Sequence, residues 1–109
     1  MSTLEFHVLL ALVARPLYGY AIKDAIADES AGTLVPRAGS LYRVIARMIT
    51  AGLVVEAEPD DDPPPHPGHA RRYYTLTTIG RRALTAEARR LKGAAAIAER
   101  RLGFGQGRP

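Results

Sequence analysis

The 109-residue chain has no cysteine, which excludes both a disulfide framework and a thiolate-held metal site. It also lacks tryptophan, and aromatic residues make up only 6% of it. Long apolar runs are missing. The longest, residues 8–14, is far too short to cross a bilayer. The N-terminus lacks the basic flank of a signal peptide, so the expected compartment is the cytoplasm. Catalytic signatures are wanting as well: there is no Ser/His/Asp elbow, no glycine-rich phosphate loop and no pair of carboxylates in a credible cleft. Neither an enzyme nor a cofactor is expected.

What remains is globular in composition, 47% hydrophobic and 24% charged, and short enough for one core. The net charge of +4 favours an anionic partner only weakly. Its distribution says more. Residues 1–36 hold two bases against four acids, residues 37–76 five against five, and residues 77–109 eight against two. Basicity therefore gathers at the C-terminal end.

Thr3 or Ser2 can cap a first helix, with Leu4, Val8, Leu9 and Leu12 at helical spacing to about Ala14. Arg15-Pro16 ends it, because the residue before proline is driven from the helical region. A second helix is predicted over 19–29, burying Ile22, Ala25 and Ile26. After the connector "SAGTLVPRAG", the stretch "GSLYRVIAR" starts a third helix at its serine, ending near Ala51 with Gly52 in the left-handed position. "LVVEAEP" and "RRYYTLT" read as two strands joined by the long loop "DDDPPPHPGHA". Thr77 or Thr78 then caps a final helix reaching Arg101, and the tail is expected to be disordered. The fold class is therefore mainly α with a small β-hairpin: a winged helix-turn-helix (1–76), a long C-terminal helix (77–102) and a tail (103–109).

Neither "GSLYRVIAR" nor its immediate neighbours carry an acid. Leu41, Val44, Ile45 and Met48 fall on one side of this helix, while Ser40, Arg43, Arg47 and Thr50 form a stripe opposite. Arginine can fork onto guanine or phosphate, hydroxyls can contact either, and Gly39 removes a side chain where a backbone would approach. A solvated face could carry the same residues. The hairpin placed directly after it turns the reading toward double-stranded DNA.

Three blocks, "PLYGYAI" (16–22), "GSLYRVIARMITAGLV" (39–54) and "RRYYTLTTIGRRAL" (71–84), resemble in order those of the PadR family of bacterial transcriptional regulators. The resemblance implies a dimeric repressor whose third helix and wing bind an operator, of the short subfamily with a single C-terminal helix. It places Ser40 and Tyr42 at the DNA-facing start of the helix, Arg47 at a basic position within it, and Arg71 and Arg72 at the wing. Arg43 replaces a common proline, and Arg37 stands where a capping serine is frequent. Short members of the family can hold flat aromatic compounds between protomers, some by tryptophan stacking. A small aromatic inducer therefore stays open here, with Tyr18, Tyr20, Tyr73 and Tyr74 as candidate contacts.

Asp60, Asp61 and Asp62 should repel phosphate, so the wing tip is expected to stay clear of DNA and leave contact to Arg71 and Arg72. On the last helix, Leu84, Ala88, Leu91, Ala95, Ala98 and Leu102 alternate at four and three residues, a coiled-coil seam expected to form a homodimer interface. His66 and His69, without a third ligand, do not make a metal site, and His7 is read as surface or core. The rival reading is a dimeric winged-helix interaction module without sequence-specific DNA binding; a third is a ligand carrier.

Overall fold

The computed structural model describes residues 1–58 and 72–103. Helix α1 (Thr3–Ala11) opens on a reciprocal capping box. The Glu5 amide donates to Ser2 Oγ at 3.1 Å, and the Ser2 amide donates to Glu5 Oε1 at 2.7 Å. The bond from the Ser2 amide, followed by the Ser2 hydroxyl close by, holds the Glu5 carboxyl below its ordinary range. The helix stops at Ala11, short of the expected Ala14. The Leu12 and Val13 amides instead reach back three residues, to Leu9 and Leu10.

That early stop frees a strand the sequence reading lacked. β1 (Leu17–Tyr18) is only two residues long, too short to show any alternation. It runs directly into α2 (Gly19–Glu29), which buries Ile22 and Ile26 as expected and leaves Ala25 half-buried. Beyond α2, Ala31 takes φ 52° and Gly32 φ 79°. The Gly32 amide donates to the Ala27 carbonyl at 2.8 Å, and the Ala31 amide to that of Asp28 at 3.1 Å. This is a Schellman closure with alanine where glycine is usual. Ala31→Gly should therefore raise stability by roughly 0.5–1 kcal/mol, because relief of the left-handed strain exceeds glycine's added unfolded-state entropy. The check is a higher denaturation midpoint at an unchanged m-value.

Helix α3 (Ala38–Thr50) buries Leu41, Val44, Ile45 and Met48, the four positions expected. It begins two residues earlier than Ser40: Arg37 is the N-cap and makes no side-chain cap bond, so Ser40 is not the helix-starting serine. At the other end Gly52 takes φ 80°. The Leu53 amide folds back to the Met48 carbonyl at 2.9 Å and the Gly52 amide to Ile49 at 3.0 Å. β2 (Val54–Ala57) and β3 (Tyr73–Leu76) follow, shorter than the sequence suggested, in an antiparallel sheet ordered β1-β3-β2. Tyr73 faces Tyr18 and Ala57, and Tyr74 faces Leu17 and Glu56. The sheet closes over the helices, with Val54 and Tyr74 in the same core as Leu9, Ile26 and Ile45.

Helix α4 (Thr78–Leu102) is capped by Thr77, whose Oγ1 accepts from the Gly80 amide at 2.9 Å. The same hydroxyl donates to the Gly52 carbonyl, and the Thr77 amide donates to the Leu53 carbonyl at 3.1 Å. One residue thus ties the end of α3, the start of β2 and the start of α4. A Cβ on Gly80 would lie 2.9 Å from the Leu53 carbonyl carbon and nearer still to its oxygen. Glycine is required there.

Candidate nucleic-acid interface

The pattern that buries one side of α3 sends the other outward. Gly39, Tyr42, Arg43, Arg47 and Thr50 are exposed, and Ser40 is half-buried. There is no acid in the helix. Among the described residues neither Arg43 nor Arg47 has an ion-pair partner. Arg43 Nη2 approaches Ser40 Oγ at 3.5 Å, a marginal bond. The field of Arg47 reaches Glu5 on α1 and lowers its pKa slightly. Both guanidiniums can therefore turn to an incoming anion. Thr50 Oγ1 donates to the Ala46 carbonyl at 3.2 Å, which leaves its oxygen as an acceptor.

Gly39 differs in kind from Gly80: a Cβ there would meet nothing within 4 Å. The chain's own packing does not require this glycine. The side chain it omits would stand in the path of whatever approaches the helix start. With Arg37 making no cap bond and no acid in the first turn, the N–H groups there keep their partial positive charge.

Tyr42 has a double environment. It is 45% exposed, yet its ring crosses the start of α2, so that a Cβ on Gly19 would lie 2.7 Å from Tyr42 Cζ. The tyrosine and glycine of the two family-like blocks are in fact one contact, in which the bare Gly19 backbone makes room for the Tyr42 ring. Sequence spacing could not show this.

On the wing, Arg72 is exposed and pairs with Glu56 across the strands at 3.6 Å. Such an exposed pair contributes little stability, but it sets a carboxylate beside the expected DNA-contacting arginine. Arg71, the acidic tip with Asp60 to Asp62, and His66 and His69 lie outside the described residues, as does the tail beyond Gly103. Tyr74 forms the floor between α3 and the wing. Burial pushes its phenol above the ordinary range, so it stays a neutral hydroxyl. The candidate aromatic contacts do not converge. Tyr73 and Tyr74 are core residues, Tyr18 meets Tyr73 edge-on at 5.6 Å, and Tyr20 points to solvent. His7 lies half-buried against Glu29, 3.4 Å from Oε1. Among the described residues no three His, Asp or Glu side chains converge as a metal site, and no helix is long and apolar enough to cross a membrane.

The C-terminal seam divides. Leu84 belongs to the head's own core, 8% exposed. Ala88, Leu91, Ala95, Ala98 and Leu102 are all exposed. Leu10 of α1 and Val13 just beyond its end also show apolar surface outside the part that packs inward. Sequence periodicity identified the α4 stripe but not this second face, because the run from residue 8 to 14 is continuously apolar and has no polar position to mark an outer side.

The family model described as the transcriptional regulator PadR-like family matches residues 8–86. Solved structures share the fold. A PadR family transcription regulator from Clostridium difficile is 20% identical with a TM-score of 0.74, over 94% of this chain and 100% of that one. One from Eggerthella lenta is 28% identical with a TM-score of 0.71, over 92% and 81%. Bacillus subtilis PadR, solved in complex with operator DNA, is 18% identical with a TM-score of 0.66, over 80% of this chain and 48% of that one. No curated protein matches the chain.

Proposed function

The chain belongs to the PadR-like family of transcriptional regulators, and from that premise we propose that it binds a palindromic operator as a homodimer and represses transcription. The observation that carries the reading is the exposed, acid-free face of α3, with two arginines unpaired among the described residues. A face of that chemistry on a winged helix-turn-helix suits a major groove, where guanidinium can fork onto guanine and small polar groups let the backbone close in. The operator complex of the B. subtilis relative supports the same use of the fold.

The dimer rests on α4. At 1.5 Å per residue its 25 residues extend ~37 Å, and beyond Leu84 its Leu/Ala stripe has no cover from the head. Pairing with a partner's stripe, or with the outer face of α1, would remove that surface from water. A two-fold dimer presents two α3 helices to half-sites about one helical turn apart, ~34 Å. Most bases of α4 lie off the stripe, where they raise the general potential and speed encounter without reading sequence.

Selection of bound sequences from a random pool tests the reading. An enriched inverted repeat, bound at ~10⁻⁸ M and weakening steeply with salt, supports it. Weak, sequence-blind binding would make the chain an interaction module instead. Leu91→Glu, on the exposed stripe, should leave the head folded and shift the protein to monomer in sedimentation equilibrium. Its affinity for the full palindrome should fall roughly a hundredfold as bivalent binding disappears.

A further inference from the structure

The outward face of α3 is two-sided. Ser40, Arg43 and Arg47 make its cationic flank. Tyr42, Ala46 and Ile49, spaced by four and three residues, make an apolar flank turned toward the wing. Val55 of β2 continues that flank across the gap. These side chains are open: Tyr42 is 45%, Ile49 39% and Val55 46% exposed, and Ala46 is exposed too. With Tyr74 at the floor and the Arg72–Glu56 pair at the rim, they line one groove between α3 and the sheet.

Salt attraction gains nothing from isoleucine and valine here, and neither residue is needed by the core. A duplex offers one apolar group on its major-groove edge, the 5-methyl of thymine. We infer that the Tyr42–Ala46–Ile49 flank, with Val55, reads thymine methyl groups. This rests on the DNA-binding reading above and adds the base it selects. Charge complementarity fixes the occupant. Arg43 and Arg47 stand along one side of the flank without an ion-pair partner among the described residues, so a polyanion lying over the helix meets cations there while its base edges face the apolar strip. Ala46 is short enough to let the helix approach. Ile49 and Val55 are long enough to close on a methyl from two directions. Among the described residues Glu56 is the one acid lining the groove, and Arg72 offsets it.

The test uses the intact protein and the site selected from random DNA. Each thymine is replaced in turn by deoxyuridine, which lacks only the 5-methyl group. At one or two positions per half-site the replacement should weaken binding roughly three- to tenfold, the scale of one methyl removed from an apolar environment. Ile49→Ala should bind thymine and uracil versions equally at that position, and Val55→Thr, nearly isosteric on an exposed strand, should narrow the difference. Specific binding that ignores the methyl at every thymine would overturn the inference while leaving the regulator reading intact. Failure to select any site would overturn both. A methyl effect that Ile49→Ala and Val55→Thr leave unchanged would assign the methyl-reading surface elsewhere and also sink the inference.

Discussion

Gly80→Ala should cost about 4 kcal/mol or more and lower Tm by something on the order of 20 °C. The added Cβ would fall 2.9 Å from the carbonyl carbon of Leu53 and closer to its oxygen. Leu53 cannot yield, because its carbonyl accepts from Thr77 and its amide closes the end of α3. The clash is thus with backbone held at both ends, and relief requires α4 to move off the head. Helix propensity works in the opposite direction, since alanine for glycine inside a helix ordinarily stabilises by about 1 kcal/mol. Gly93→Ala supplies the control: a Cβ there meets nothing within 4 Å, and this variant should gain that amount. Thermal denaturation of the two, one falling and one rising, checks the account. An unchanged Tm for Gly80→Ala would mean that the joint is looser than its hydrogen bonds imply.

Replacing both Arg43 and Arg47 with alanine should reduce specific operator affinity by roughly 10² or more, at about 1–3 kcal/mol for each well-placed arginine. Where either guanidinium neutralises a phosphate, its removal should also flatten the salt dependence, by about one unit of slope for each such phosphate. Stability should barely change, because both side chains are exposed and neither is in an ion pair among the described residues. Anisotropy titrations at two or three salt concentrations, beside a denaturation curve, separate these effects. If the double variant kept both its preferred sequence and its affinity, α3 would not be the reading element.

Much of the fold was legible because period and punctuation agreed. Leu41, Val44, Ile45 and Met48 fell inside as spaced, Gly52 took the left-handed turn, and Thr77 capped the last helix. Ser2 proved the first cap, one of two candidates. The misreadings share a cause. β1 has two residues and no pattern of its own, and exists only because β3 supplies its hydrogen bonds. The start of α3 carries no side-chain cap, so its sequence offered no signal, and Ser40 inside the first turn looked like one. Leu84 fits the seam periodicity but belongs to the core, because the first turns of α4 still lie on the head.

The candidate interface divides the same way. Helical spacing alone named the arginine stripe. It did not raise Ala46, Ile49 or Val55, since apolar residues at such positions look like core until their exposure is known. Nor could it couple Tyr42 to Gly19, which lie 23 positions apart.

From its residues alone the chain specified which side of α3 is apolar, where α2 and α4 run, and that one helix carries cations without acids. These are local matters, decided by neighbours three or four positions away. Which apolar groups are covered, which glycines have no room for a side chain, and which charges meet depended on elements far apart in the chain packing together. That packing is set by shape and backbone hydrogen bonding across the whole head, and no single stretch of sequence contains it.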